Sequence, residues 1–394
     1  MPLRVLHVVI GLDTGGAETM LARIINRSDR ERFHHAVVSL TTIGSVGETL
    51  LRDGVDVTAL GIRHRLPNPF LLLRLRGIIR RFRPDVVKSW LYHANFATAL
   101  TVRGRAPIIW SVFYVPPEVW LNRPTRAIAK LCARLSRSVP RRIVFDSQAA
   151  AARHEQLGYD REKFVVIPNG FDTTRFAPDA GARVALRHEL GLPPETPIVG
   201  LVARFDPVKD HHTFLQAAAQ LRRDVPGVAF VLCGGTGITE DNGVLRQWID
   251  ELGLRDAIHL LGRREELPFL MAALDIGVSS SAAESFPLVV GELMASGVPC
   301  VVTDVGDTAL LAGDTAIVVP PCDAGALAVA CSVLLRASAE ERQLRGLAGR
   351  ERIIDQFGLA ATTEAYEQLF EEVAALPGCK RQLPPTGWGS HVEN

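Results

Sequence analysis

Two glutamates eight residues apart, Glu284 and Glu292, sit in the run Ser281-Ala-Ala-Glu284-Ser-Phe-Pro-Leu-Val-Val-Gly-Glu292. Pro287 suits a first helical turn, because its φ is already fixed and its missing N–H would have no partner there. The spacing therefore predicts Glu284 in a loop before a helix and Glu292 on that helix, about a turn and a half later. The N–H groups near Leu288 and Val289 would have no intrahelical partner. This set suits a sugar joined to a nucleotide diphosphate. Glu284 would take sugar hydroxyls, the helix N-terminus a phosphate, and Glu292 ribose hydroxyls. Ser285, Phe286 and Pro287 complete the donor-side segment. Glu292 stands among Val289, Val290, Leu293 and Met294, so its carboxylate needs a hydrogen-bonding partner.

Cations of the right kind lie upstream. In Gly200-Leu-Val-Ala-Arg204-Phe-Asp-Pro-Val-Lys209-Asp210, Arg204 offers a planar fork of donors and Lys209 a mobile point charge. Together they could hold a diphosphate and offset the charge that grows as it leaves. Gly234 and Gly235 end an apolar run and allow close main-chain approach. Gly262 and Arg263 end another, and would meet the base. In the first half, Gly11-Leu-Asp-Thr-Gly15-Gly16-Ala-Glu18 departs from the full GxGxxG spacing, so a dinucleotide reading is weak. Gly15 and Gly16 would still bring main chain near a phosphate or an acceptor. Lys88-Ser-Trp90-Leu-Tyr92-His93-Ala-Asn95 supplies His93 as a polar contact or base.

These residues need a scaffold that gathers loops 75 to 200 residues apart. Short apolar, β-branched runs at 3–10, 34–40, 55–60, 85–89, 107–112, 142–145 and 164–167 alternate with helical stretches at 16–26, 46–53, 69–82, 93–103, 123–137 and 147–157. Turn residues at 168–178 interrupt the pattern. It then restarts with strands at 197–203, 228–233, 258–261, 275–279, 299–303 and 316–319. Helices are predicted at 210–223, 242–252, 264–272, 287–296, 307–311, 324–336, 339–355 and 358–374. Such alternation implies an α/β chain with two parallel, doubly wound sheets. The predicted organisation is an acceptor-binding domain over 1–175 and a nucleotide-sugar domain over 176–356. A helix over 357–375 crosses back to the first domain, and a disordered tail covers 376–394.

Composition narrows the setting. A length of 394 residues, 47% of them hydrophobic and 22% charged, suits two globular domains. The six cysteines are scattered, with no CxxC pair, which argues against a disulfide framework or zinc site and for a reducing cytoplasm. The chain opens directly into an apolar run, read as a buried strand and not a signal peptide. No apolar run reaches the roughly 18–20 residues of a spanning helix. The net charge of +1 hides a split: residues 1–175 carry 27 Lys+Arg against 14 Asp+Glu, and the remainder 17 against 29. Arg123, Arg126, Lys130, Arg134 and Arg137 recur at helical spacing on one side. They predict peripheral contact with an anionic membrane, on its inner face, or with an anionic acceptor. Nucleic acid is not expected, because aromatic interleaving is missing.

The chain resembles the retaining glycosyltransferases of family 4, with the two-domain GT-B fold. The resemblance rests on Gly15-Gly16-Ala-Glu18, Ile167-Pro-Asn-Gly-Phe-Asp172, Val202-Ala-Arg204-Phe-Asp-Pro-Val-Lys209, Gly262-Arg263, and Glu284 to Glu292. It implies a UDP- or GDP-sugar donor held mostly by the second domain, with Arg204 and Lys209 at the diphosphate. Glu284 would stand near the donor sugar and Glu292 at the ribose. It implies no metal and no other cofactor, and transfer of a hexosyl unit to a glycan or lipid-linked acceptor with retention, in cell-surface polysaccharide synthesis. The front-face displacement usually proposed for the family comes with it. One departure stands out. Phe113 or a neighbour occupies the place of a histidine frequent in the family, and His93 would serve instead. Two alternatives remain compatible: a sugar-nucleotide epimerase on the same fold, and a non-catalytic sugar-nucleotide binder.

Overall fold

A computed structural model describes residues 1–13, 15–62, 69–102, 104–113, 123–235 and 237–376, without the side chains of Pro69 and Leu71. Two all-parallel sheets organise the chain. The first runs through β1 (Leu3–Val9), β2 (Phe33–Ser39), β3 (Asp56–Ala59), β4 (Val86–Trp90), β5 (Ile108–Val112), β6 (Arg142–Phe145) and β7 (Phe164–Val166). Its strand order is β3-β2-β1-β4-β5-β6-β7. The second contains β8 (Ile198–Val202), β9 (Ala229–Cys233), β10 (Ile258–Leu260), β11 (Ile276–Ser279), β12 (Cys300–Thr303) and β13 (Ile317–Val319), in the order β10-β9-β8-β11-β12-β13. Central strands β4, β5, β8, β9, β11 and β12 are buried at every position. That is why they read as continuous apolar runs and not alternating ones.

In each sheet the order reverses once, between β1 and β4 and between β8 and β11. Open parallel sheets bind ligands at such reversals, beyond the C-terminal strand ends. The helices that matter below start at these ends. They are α1 (Gly16–Arg27) after β1, α2 (Gly44–Arg52), α3 (Pro69–Phe82), α4 (Leu91–Thr101) after β4, α5 (Arg123–Ser136) and α6 (Gln148–Gln156) after β6. In the second half α7 (Ala180–Glu189) precedes β8. Next come α8 (His211–Asp224), α9 (Gly243–Glu251), α10 (Leu267–Ala272), α11 (Leu288–Ala295), α12 (Thr308–Ala312), α13 (Ala324–Arg336), α14 (Ala339–Phe357) and α15 (Leu359–Ala375).

The chain crosses between the sheets twice, and the crossings lie side by side. Phe171 N–H donates to Phe357 O (2.9 Å) and Leu359 N–H donates to Phe171 O (3.0 Å). A side chain at Gly170 would meet Thr362 Oγ1 at 2.7 Å and Leu359 Cα at 2.8 Å, so glycine is required there. After the crossing α15 lies on α1. Tyr366 and Phe370 enter the first domain's core beside Phe33 and Trp90, and Glu367 accepts from Ser28 Oγ (2.7 Å). Among the described residues no helix is long and apolar enough to cross a membrane.

Three predicted features come out differently. Helix α7 was not expected, because the turn residues before it masked its short amphipathic pattern. Asp179 caps it at the N–H groups of Gly181 and Ala182, and its Arg187 is buried against Asp275 at 2.5 Å. α4 begins at Leu91, with Leu91 itself at φ 69°, directly after β4. The predicted start is 93, so His93 is the third helical residue and not the first. Lys209 ends a separate short turn, Pro207–Lys209, closed by Asp210 at φ 45°. The tail expected from 376 lies, beyond Leu376, outside the described residues.

Candidate functional site

Lys209 and Glu284 are 75 residues apart in the chain, and adjacency of β8 and β11 brings them together. Lys209 Nζ donates to Glu284 Oε1, and Ser281 Oγ donates to the same oxygen at 2.8 Å. The two loops are stitched by Ala282 N–H to Val208 O (2.8 Å) and Ser280 Oγ to Lys209 O (2.9 Å). Both side chains are mostly buried, at 22% and 15% exposure, so the pair holds a fixed geometry. Arg204 does not join them. It is 68% exposed on the lip of the site, with Asp206 Oδ2 at 3.7 Å.

The glycines divide. The space for a side chain at Gly234 is taken by the main chain of Ala203 and Arg204. Close contact between β9 and the Arg204 loop is therefore enough to require a glycine there. Gly235, at φ 71°, faces open space. Gly262 N–H donates to Ile238 O (2.9 Å) and its carbonyl accepts from Gly234 N–H (2.8 Å), so it ties β10 to the glycine turn; Arg263 beside it is exposed.

Pro287 precedes α11, whose N-terminus has no side-chain cap. Leu288 and Val289 in its first turn are half-buried. Ser285 and Phe286, expected among the donor contacts, turn their side chains away. Phe286 is buried between Phe171 and Phe357, and Ser285 reaches Asp146 and Ser147 of the first domain. An aromatic ring and a hydroxyl next to a domain boundary find more partners inside the protein than in the site. Glu292 does have the partner its apolar neighbours demanded: Arg23 Nη2, from α1 of the other domain, stands 2.5 Å from Oε1. Burial raises the Glu292 carboxyl above its usual range, opposed by Arg23 and by Arg175.

The first domain brings α1 to this edge. Gly15 is the N-cap of α1, and a side chain at Gly16 would touch Leu288 Cδ1 at 3.7 Å, so the two helix N-termini approach each other across the boundary. Glu18, in the first turn of α1, folds back over Gly15. Burial raises its carboxyl, against a hydrogen bond from its own main chain and the charge of Arg204. In the sequence Glu18 stands only as the last residue of Gly15-Gly16-Ala-Glu18, with no role of its own. The available signal was an acid in the first turn of a helix that follows two glycines. His93 is half-buried on α4 at the same end of the first sheet, and burial lowers its pKa. Phe113 packs edge-on against Trp90 with ring centres 5.3 Å apart; Tyr114 lies outside the described residues.

On α5, Arg123, Arg126, Lys130 and Arg134 are exposed, with Arg137 just past its end, while Ala129, Cys132, Ala133 and Ser136 face the core. Among the described residues no three His, Cys, Asp or Glu side chains gather as a metal site would require.

Comparison with known proteins identifies the family and the fold. Residues 14–175 match the model of Glycosyltransferase Family 4, and residues 183–352 match that of Glycosyl transferases group 1. The chain is 28% identical to EpsF of Bacillus subtilis over 318 residues, 76% of this chain and 79% of that protein. It is 28% identical, over 93% of its length and 98% of the relative's, to the lipopolysaccharide core biosynthesis glycosyltransferase LpsE of Rhizobium meliloti. Among solved structures, HepE of Anabaena in complex with UDP superposes with a TM-score of 0.83 at 21% identity, covering 94% of this chain and all of that one. The two matched regions take in β2 to β7 of the first sheet and all of the second, and this chain belongs to glycosyltransferase family 4.

Proposed function

We propose that the protein moves a hexosyl unit from a nucleotide-sugar, a UDP-sugar in the first instance, to a glycan or lipid-linked acceptor with retention of configuration. The observation that carries this reading is the Lys209–Glu284 pair at the strand-order reversal of the second sheet, beside the uncapped N-terminus of α11. An entering diphosphate takes over the Lys209 ammonium and the N–H groups at the start of α11. Glu284 is then free to accept hydroxyls of the sugar. Arg204, exposed on the lip, meets charge on the departing diphosphate, and Glu292, held by Arg23, takes the ribose hydroxyls. Fixed positive groups aimed at a developing negative charge lower the barrier without a metal. The preference for uridine is supported by HepE, whose crystals hold UDP and UDP-glucose. A role in cell-surface polysaccharide synthesis is supported by the name of LpsE.

In the step itself the acceptor oxygen bonds to the anomeric carbon on the face from which the diphosphate leaves. The bond from that carbon to the phosphate oxygen breaks, and the acceptor proton passes to the released oxygen. His93 contacts the acceptor. Its lowered pKa keeps the ring neutral at pH 7, so it accepts a hydrogen bond there. The protein works in the cytoplasm, with the cationic face of α5 resting on an anionic inner leaflet.

The test is nucleotide release from a panel of UDP- and GDP-sugars, with a membrane lipid extract as acceptor. Lys209→Ala and Glu284→Ala should each lower turnover roughly 10²–10³-fold while the urea midpoint shows both folded. Full activity in both sinks the site assignment. Donor conversion without acceptor points to an epimerase instead. Anionic liposomes should capture the protein at low salt and release it at high salt; no capture at low salt removes the membrane contact.

A further inference from the structure

Four buried polar side chains meet where the two sheets' loops touch, and the proposed transfer step uses none of them. Asp146 and Ser147 close β6 and open α6. Ser285 follows Glu284, and Asp307 precedes α12. The Asp307 carboxylate accepts Gln148 N–H through Oδ2 (2.6 Å) and Ala149 N–H through Oδ1 (2.9 Å), while Ser147 Oγ accepts Ala150 N–H (3.0 Å). The first N–H groups of a helix have no partner within it. In α6 two of them are satisfied by a carboxylate of the other domain, placed at the positive end of the helix dipole.

The hydroxyls run in one direction. Ser285 Oγ donates to Asp146 Oδ1, so in the 2.7 Å contact between Ser147 Oγ and Ser285 Oγ the donor is Ser147. Burial raises the Asp146 carboxyl to about 7, opposed by the Ser285 hydrogen bond and reinforced by the charges of Asp307 and Glu284. The acceptor oxygen serves in either protonation state.

This cluster is joined to Glu284 through the main chain. Asp307 N–H donates to Ser285 O at 2.9 Å. Gly306, at φ 57°, lies so close that a side chain there would stand 2.5 Å from Ser285 O and closer still to Glu284 O. Asn169 Nδ2 donates to Phe286 O at 3.2 Å from the first-domain side. The Glu284–Phe286 main chain is thus gripped from both domains at once.

We propose that Asp307 and Asp146 are positioning residues for glycosyl transfer, which tie the Glu284 loop to α6 so that seating of the Glu284 carboxylate depends on docking of the two domains. The idea rests on the donor-side role of Glu284 given above. A clasp made of directional hydrogen bonds fits one mutual arrangement of the domains, whereas an apolar contact of equal area would tolerate sliding. The donor contacts proposed above all lie in the second domain, so loss of the clasp reaches turnover before it reaches binding.

The experiment compares Asp307→Asn, Asp146→Leu, Asp146→Asn and Glu284→Gln with the wild-type chain. Readouts are kcat and donor KM with a UDP-sugar, UDP affinity by calorimetry, and radius of gyration by small-angle X-ray scattering. Asp307→Asn presents an amide N–H to a helix N–H and breaks the two-pronged contact. It should lower kcat by roughly 10²-fold, the scale of a 1 Å misplacement, with donor KM and UDP affinity unchanged and a larger radius of gyration. Asp146→Asn, which keeps the acceptor oxygen, should recover most of the turnover lost by Asp146→Leu. A wild-type kcat in Asp307→Asn, a loss confined to KM, or equal loss in both Asp146 variants overturns the proposal. Should Asp307→Asn not fold, the two Asp146 variants decide alone. If Glu284→Gln is itself fully active, the donor-site reading fails first; if it is inactive while Asp307→Asn is active, only the clasp fails.

Discussion

Substitution of Arg23 by Met isolates the buried charge that joins the two domains. Arg23 and Glu292 are 12% and 8% exposed, and their closest atoms are 2.5 Å apart. Removing one partner of a buried pair leaves an uncompensated charge and costs about 3–5 kcal/mol. Arg175 still acts on Glu292 from farther away, which places the expected cost toward the lower end of that range. The remaining carboxylate has one escape, which is to bind a proton. The sign follows from the direction of its shift. Burial already raises the folded-state pKa of Glu292, and loss of Arg23 raises it further. A carboxyl raised in the folded state stabilises fully below its unfolded value near 4.3, and that contribution is lost as pH rises through the raised value. Arg23→Met should therefore be most destabilised at neutral pH and regain stability on acidification. One proton limits the slope to ~1.4 kcal/mol per pH unit, so at most about 2.7 kcal/mol returns between pH 7 and pH 5. Urea denaturation followed by tryptophan fluorescence at pH 5, 6 and 7 measures this against the wild-type chain. Glu292→Gln and the double variant complete the cycle, and neither should share the slope. A cost below about 1 kcal/mol at pH 7, or the same cost at pH 5 and pH 7, refutes the claim that Arg23 keeps a buried Glu292 ionised.

Two further outcomes follow from buried bases. Burial lowers His35 to about 3 and His154 and His211 to about 4, so each takes up a proton on unfolding below 6.5 and stability falls as pH drops from 6.5 toward 4. Asp146, raised to about 7, opposes this by one proton; His35→Gln should flatten the fall by up to ~1.4 kcal/mol per pH unit, and parallel curves for variant and wild type would exclude it. Lys88 is wholly buried, donates to Ser111 Oγ, and lies 4.6 Å and 4.8 Å from the ring centres of Trp90 and Tyr366. Burial lowers its pKa well below the ordinary value, so the wild-type chain gains stability as pH rises toward the unfolded value near 10.4. Lys88→Met should stabilise by roughly 1–3 kcal/mol at pH 7 and lose that gain by pH 10. A lower urea midpoint at pH 7 would mean that the amine is better satisfied than its surroundings indicate.

The parts of this protein written locally were legible from the residues. Two parallel sheets follow from β-branched runs spaced by helical stretches, since each strand is covered on both faces by its neighbours in sequence. The loop before α11, the uncapped helix start and the need of Glu292 for a partner follow from Pro287 and the apolar residues around that glutamate. What lay beyond reach was every choice of partner between distant loops. Lys209 meets Glu284 because β8 and β11 are neighbours in the sheet, an order that no local pattern encodes. Arg23 meets Glu292, and Asp307 the start of α6, only because the domains face each other. Arg204 stays apart from Lys209 although five residues separate them, because a short turn ending at Asp210 sends the two side chains different ways. Phe286 serves the core and not the ligand for the same kind of reason: Phe171 and Phe357 arrive beside it from the two crossings. Residue type and spacing determined which groups could do the chemistry and on which elements they sit. Tertiary structure decided their pairing, because hydrogen bonds and ion pairs act over a few ångströms of space and do not depend on distance along the chain.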